Sequence, residues 1–275
     1  MRKKKLSILA TVVATLMATA LPVMGITKGG TLDGDDHPYV GLSIHDVGEV
    51  PSHRCSGAFI DAHTFVTAGH CTTGTSGGRV WLESTIQGIE GTVGYPFGGG
   101  TELEADHAYT HPLYVDSAFY LFDVGVLTFD DPVYAGPYAS LPGLDEMDSA
   151  GKGRNNPDAT VTAVGYGLQL INPVMIQADK TRMQADLMVV DVNGVAGIGA
   201  INPGQSAALS GDAKHGGTCF GDSGGPILKY GTDIIWMVNS FGLNGNCAGI
   251  GGGYRIDRAD DLNFLNNLGS GQSEF

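Results

Sequence analysis

Gly221-Asp222-Ser223-Gly224-Gly225-Pro226, late in this 275-residue chain, holds a serine between glycines. Glycine lets a backbone turn tightly and bring its N–H groups close to a carbonyl. A serine hydroxyl is a weak nucleophile unless a base takes its proton and donors hold the resulting oxyanion. The candidate base is His70, in Thr67-Ala68-Gly69-His70-Cys71. It adjoins a cysteine and follows two short apolar runs, whereas His37, His45, His53, His63 and His107 have no such setting and read as ordinary surface or core residues. Asp123 heads the apolar run Val124-Gly125-Val126-Leu127 and supplies a carboxylate. Taken alone it reads as a strand-end aspartate; the order His70, Asp123, Ser223 gives it weight.

These side chains need a scaffold that brings distant segments together. Strand-like runs fall at 39–43, 57–60, 65–67, 80–82, 124–129, 160–164, 188–192, 234–238 and 253–256. They are short, apolar or β-branched, and separated by Gly, Pro, Asp or Asn. Glycine accounts for 43 residues, about twice its usual share of roughly 7%, with no Gly-X-Y period. One helix is expected at the C-terminal end, where Leu262, Leu265 and Leu268, with Phe264, recur at helical spacing. Asp257, Asp260 and Asp261 suit its N-terminus. The polar, turn-rich stretch 144–157 is the linker candidate between residues 26–143 and 158–275. Two antiparallel barrels fit this layout, although strand counting alone also admits a sandwich.

The first 25 residues read as a secretory signal. Arg2, Lys3, Lys4 and Lys5 precede an apolar stretch from Leu6, and cleavage after Ala20 or after Gly25 fits. An uncleaved membrane anchor is the alternative, which the small residues near the end of the stretch disfavour. No cysteine follows for lipid attachment, and no later stretch is long and apolar enough to span. Removal of residues 1–25 leaves 11 basic against 29 acidic side chains, a net charge of −18. Such a chain repels nucleic acid and anionic membranes. Cys55, Cys71, Cys219 and Cys247 form an even set in a chain with an export signal, so disulfides are expected. Pairing neighbours, Cys55 with Cys71 and Cys219 with Cys247, closes short loops worth about 3 kcal/mol each. Zinc binding by His70-Cys71 with distant cysteines is the alternative, and no C-x-x-C spacing supports it. Glu102, Glu104 and Asp106 suggest a calcium loop or a solvated acidic turn; no EF-hand pattern favours the first. No metal or cofactor is expected.

The segments around His70, Asp123 and Ser223 resemble those of chymotrypsin-fold, trypsin-like serine proteases. The 15-residue step from Cys55 to His70 agrees, as do His111-Pro112-Leu113-Tyr114, Gly165-Tyr166-Gly167, Ser240-Phe241-Gly242 and Tyr254-Arg255-Ile256. The resemblance covers residues 26–268. It implies an all-β fold of two antiparallel six-stranded barrels, an active site between them and a C-terminal helix. It further implies a Ser223 nucleophile, a His70 base, an orienting Asp123 and an oxyanion hole from the N–H groups of Gly221 and Ser223. Ser240 matches the serine that hydrogen-bonds the aspartate, and residues 240–242 would pair with substrate backbone. A histidine near its reference pKa of about 6.5 gives activity rising through neutral pH.

By the same resemblance, a free ammonium on Ile26 would pair with Asp222 and organise the oxyanion hole. Cleavage after Gly25 makes that terminus directly; cleavage after Ala20 leaves a five-residue propeptide. Ile26-Thr27-Lys28-Gly29 keeps the isoleucine and the glycine but departs from the family at Thr27-Lys28. Gly217 stands where trypsins carry an aspartate, and Gly242 and Gly252 leave the pocket walls open. A large apolar or aromatic side chain is therefore expected before the scissile bond, with Phe220 and Phe241 lining the cleft. The expected protein is a secreted (extracellular or periplasmic) monomeric endopeptidase acting on proteins or peptides and open to a protein inhibitor. The alternative is a protease-fold binding protein without turnover; such proteins usually lack a triad residue, and all three are present here.

Overall fold

Short apolar and β-branched segments pair antiparallel throughout this computed structural model, which describes residue 26 and residues 30–48, 50–86, 101–151, 156–172, 175–194, 204–211 and 216–269. The expected signal segment and the expected linker residues 152–155 lie outside the described residues.

The first half contributes β1 (Thr31–Leu32), β2 (Val40–Val47), β3 (Val50–Phe59), β4 (Thr64–Thr67), a single turn of helix α1 (Gly69–Thr72), β5 (Gly77–Trp81), β6 (Leu103–Ala105), β7 (His107–Thr110) and β8 (Gly125–Thr128). The second contributes β9 (Thr160–Gly165), the small hairpin β10 (Leu170–Asn172) and β11 (Met175–Gln177), then β12 (Met183–Asp191), β13 (Ser206–Gly211), β14 (Pro226–Lys229), β15 (Ile235–Gly242), β16 (Gly249–Arg255) and helix α2 (Ala259–Gly269).

The first sheet runs β6-β5-β2-β3-β4-β8-β7. Its two edge strands are one stretch of chain interrupted at Asp106, whose N–H donates to Thr128 C=O at 2.9 Å. The barrel thus nearly closes through a bend in a strand, and the seven segments amount to six strands. The second sheet is β12-β13-β16-β15-β14-β9, closed on itself by the β9–β12 pairing, with β1 added on β12. Closure removes the exposed edges that an open sandwich would leave.

A hydrophobic cluster fills the first barrel with Leu42, Phe59, Phe65, Val80, Trp81 and Val126 and continues without a break into Val164, Tyr166, Leu228, Val238 and Ile256. A second cluster, including Val161, Leu187, Leu209, Ile227 and Trp236, fills the other barrel. Met147, in a 3-10 turn spanning Glu146–Gly151, joins it from the stretch expected to be a linker. At the seam, the guanidinium of the buried Arg182 donates to Asp33 at 2.8 Å and to the carbonyls of Val40 and Leu82 at 3.0 Å each.

Helix α2 lays Phe264, Leu265 and Leu268 into the first cluster. Asp261 stands in the first turn of α2, as expected, but does not face solvent. It is buried, accepts from Tyr254 OH at 2.9 Å, and is pushed up to about 8 by burial and by the neighbouring Asp260.

Candidate active site

Strand pairing brings the histidine and the aspartate together. Thr67, at the end of β4, lies opposite Gly125, at the start of β8. His70 follows in the first turn of α1, and Asp123 stands two residues before β8. The His70 backbone N–H donates to Asp123 Oδ1 at 2.7 Å, and its Nδ1 lies 2.9 Å from Oδ2. The Cys55–Cys71 disulfide ties α1 to β3 directly beside this histidine, with Cα atoms 6.4 Å apart. Its sulfurs are therefore committed to each other, which removes Cys71 as a zinc ligand beside His70.

Asp123 is fully buried, and its remaining partner comes from the other barrel: Ser240 Oγ donates to Oδ2 at 2.5 Å. Ser240 sits where the β15–β16 register slips between Asn239 and Phe241. Such a bulge re-aims a side chain out of the regular alternation. Burial works to lower the pKa of His70, but the charge and hydrogen bond of Asp123, with Asp116 beyond, outweigh it and raise the pKa above its ordinary value. The expectation of an unshifted histidine is corrected to that extent.

The Ser223 segment approaches from the second barrel. Gly224 has φ +76°, and a Cβ there would fall 2.1 Å from Thr67 Oγ1 and 2.6 Å from the Ala68 nitrogen. Only glycine allows the serine loop to lie this close to the histidine segment. The loop is tied down by Ser56 N–H to Ser223 C=O at 2.8 Å and by Gly224 N–H to Asn239 C=O at 2.7 Å. Ser223 Oγ makes no hydrogen bond to His70 among the described residues. Apo geometry in such sites is often looser than in the working complex. The N–H groups of Gly221 and Ser223 have no backbone acceptor among the described residues.

Asp222 is buried beneath the loop. Its carboxylate accepts from Cys219 N–H at 2.8 Å and Gly167 N–H at 2.7 Å, and burial pushes it up to about 6 despite those bonds. Ile26 is also buried, against Met183 and Ala185, with φ +43°. Its nitrogen belongs to a continuous chain here and is an amide, not an ammonium.

A cavity of about 180 Å³ opens beside Ser223, walled by Thr218, Phe220, Phe241, Gly242 and Asn244 among others. The Cys219–Cys247 disulfide braces it. Gly217 is buried and lines a smaller adjoining space that also reaches Gly242. Gly252 lines neither. It pairs with Phe241 across the strands, and the Phe241 ring fills the place of its missing side chain, with Cζ 2.1 Å from where a Cβ would stand. Among the described residues, no charged side chain lines either space. Glu102, Glu104 and Asp106 are all exposed, and Asp106 accepts from Asp130 N–H at 2.7 Å.

A family profile described as Trypsin matches residues 27–259. The chain belongs to the trypsin family. A protein named Trypsin from Saccharopolyspora erythraea is 29% identical over 205 residues, covering 74% of this trypsin-family chain and 81% of that protein. Among solved structures, HL collagenase superposes with a TM-score of 0.64 at 20% identity, covering 90% of this chain and 99% of the other. The scabies mite inactivated protease paralogue S-D1 gives 0.63 at 18% identity, covering 90% and 98%. These two likenesses establish the two-barrel fold alone, since one of the two is described as inactivated.

Of the residues expected to form the site, His70, Asp123 and Ser240 are joined by hydrogen bonds. Ser223, Phe220, Phe241 and Gly242 share the cavity. The sequence reading passed over Ser56, Thr67 as a packing partner, and Asn239. All three adjoin recognised residues, but their roles come from contacts across the two barrels.

Proposed function

We propose that this chain is a secreted serine endopeptidase that cleaves proteins or peptides through an acyl-enzyme. The observation that carries the reading is the buried Asp123 carboxylate, bonded at once to His70 Nδ1 and Ser240 Oγ. With Nδ1–H donating to Asp123, the neutral ring keeps its free lone pair on Nε2, the position a general base needs. Ser223 Oγ attacks the scissile carbonyl as its proton passes to His70 Nε2. The tetrahedral oxyanion is held by the N–H groups of Gly221 and Ser223. Collapse breaks the C–N bond, and the imidazolium gives its proton to the leaving amine. Water, deprotonated by His70, then hydrolyses the ester and restores Ser223.

The cavity beside Ser223 supports a preference for a large apolar or aromatic residue before the scissile bond. Its walls include Phe220 and Phe241 and, among the described residues, offer no counter-ion to lysine or arginine. Residues 240–242 would add substrate to β15 as an extra strand. Export with loss of residues 1–25, and barrels at 26–143 and 158–275 joined through 144–157, belong to the same proposal. Cleavage before Ile26 would supply an ammonium to the buried Asp222, whose carboxylate accepts from the Cys219 and Gly167 backbone N–H groups.

The test is mass spectrometry of secreted protein after treatment with a fluorophosphonate probe. Label on Ser223 of protein beginning at Ile26 is expected, together with cleavage of casein. Folded protein beginning at Ile26 that takes no label would overturn the enzyme and favour a binding protein.

A further inference from the structure

Ser56 is buried in β3 and bonds to the proposed nucleophile segment twice. Its N–H donates to Ser223 C=O at 2.8 Å, and its Oγ donates to Gly221 C=O at 2.8 Å. The same Oγ accepts from Tyr166 N–H at 3.0 Å, and Ser56 C=O accepts from Thr67 Oγ1 at 2.8 Å. The hydroxyl's one proton is thereby directed at Gly221, and the Tyr166 amide holds it there. One residue of the first barrel thus grips both ends of Gly221-Asp222-Ser223 while also bonding to the end of β4, three residues before His70.

That grip bears on the oxyanion donors. Gly221 sits at φ +97° and has no Cβ, so the peptide planes on either side of it can reorient unless something fixes them. The Asp222 carboxylate accepts from Cys219 and Gly167, which anchors its side chain and leaves the Gly221 carbonyl to Ser56. Preorganised donors contribute to rate only when they already point at the developing charge.

We propose that Ser56 is a positioning residue that fixes the Gly221 and Ser223 amides for the tetrahedral intermediate without touching substrate. The proposal rests on Ser223 being the nucleophile. Replacement by alanine removes the Gly221 bond and leaves the buried Tyr166 N–H without its acceptor.

The test compares wild type with Ser56→Ala on a peptide amide substrate and on a peptide boronic acid, whose boron adds to a serine hydroxyl to form a tetrahedral anion. The expected result is kcat lower by about 10- to 100-fold with KM changed less than about twofold, and boronate affinity lost in proportion to kcat. A merely structural residue would lower the melting temperature and leave kcat and boronate affinity alone; that outcome overturns the proposal. If Ser56→Ala does not fold, the near-isosteric pair Ser56→Thr and Ser56→Val isolates the hydroxyl. Threonine should recover most of the kcat that valine loses, and equal values in the two would overturn the role. Fluorophosphonate labelling of the wild type separates the two failures. Unlabelled wild type sinks the nucleophile itself, whereas labelled wild type with an unaffected Ser56→Ala sinks only the positioning role.

Discussion

Ser240 Oγ donates to Asp123 Oδ2 at 2.5 Å, joining the second barrel to a carboxylate supplied by the first. Its partner is fully buried, so the bond is shielded from water. Ser240→Ala should lower kcat/KM by about 10- to 100-fold, the scale of a lost hydrogen bond to a charged group. Steady-state kinetics on a peptide amide decide it, and a variant within twofold of wild type would deny Ser240 this part.

The direction of the His70 shift fixes the acid limb of activity. Burial favours the neutral ring, but Asp123 more than offsets it, so the pKa is raised. With the neutral ring as the proposed base, kcat/KM should fall as pH drops through a midpoint above the reference value of about 6.5. Asp123→Asn should move that midpoint down and cut kcat by about 10⁴-fold. A pH profile with its midpoint below 6 in wild type would contradict this arrangement.

Gly224 should tolerate no side chain. A methyl group would meet Thr67 Oγ1 at 2.1 Å on a backbone already at φ +76°, with the Ala68 nitrogen and Ser56 carbonyl oxygen both 2.6 Å away. Gly224→Ala should destabilise the fold by about 2 kcal/mol or more and abolish labelling at Ser223. Thermal melting and probe labelling check the two parts separately. A normal melt with normal labelling would mean that the loop sits farther from Thr67.

Uncut and processed chains should differ in how their stability depends on pH. In the uncut chain, burial raises Asp222 from 3.8 to about 6. The folded state therefore binds a proton more tightly than the unfolded state, and this contribution is present below pH 3.8 and lost as pH rises through about 6. Above that, keeping the ionised group buried costs on the order of 3 kcal/mol. An ammonium at Ile26 would offset that cost. Protein beginning at Ile26 should melt higher than the longer chain at pH 7–8, with the gap narrowing towards pH 4. A gap that is constant with pH would leave Asp222 out of the pairing.

Local chemistry made much of this site legible. The glycines around Ser223, the cysteine beside His70 and the apolar run after Asp123 are short-range patterns, as are most of the strands. β13 and β14 were harder to see, because Ser206-Ala207-Ala208-Leu209 is small and weakly patterned and Pro226 directly follows the serine motif. What could not be read depended on register. Gly252 looked like an open pocket wall, yet its pairing with Phe241 brings an aromatic ring over it. Nothing local marks Ser56, and its reach to Gly221 exists only because β3 passes close to the Ser223 loop. Asp261 looked like a helix-start acid, and the position of Tyr254 beside it turned it into a buried carboxyl.

The hydrophobic cluster that begins at Tyr39 in the first barrel does not stop at the seam; it runs on through Tyr166, Val238 and Ile256 to Leu265 of the C-terminal helix. Neither barrel can come apart without stripping apolar surface from the other, so the two halves are bound into a single cooperative unit. His70 and Asp123 stand on one side of that unit, and Ser223 and Ser240 on the other. Those four side chains therefore come together only when both halves of the unit have folded.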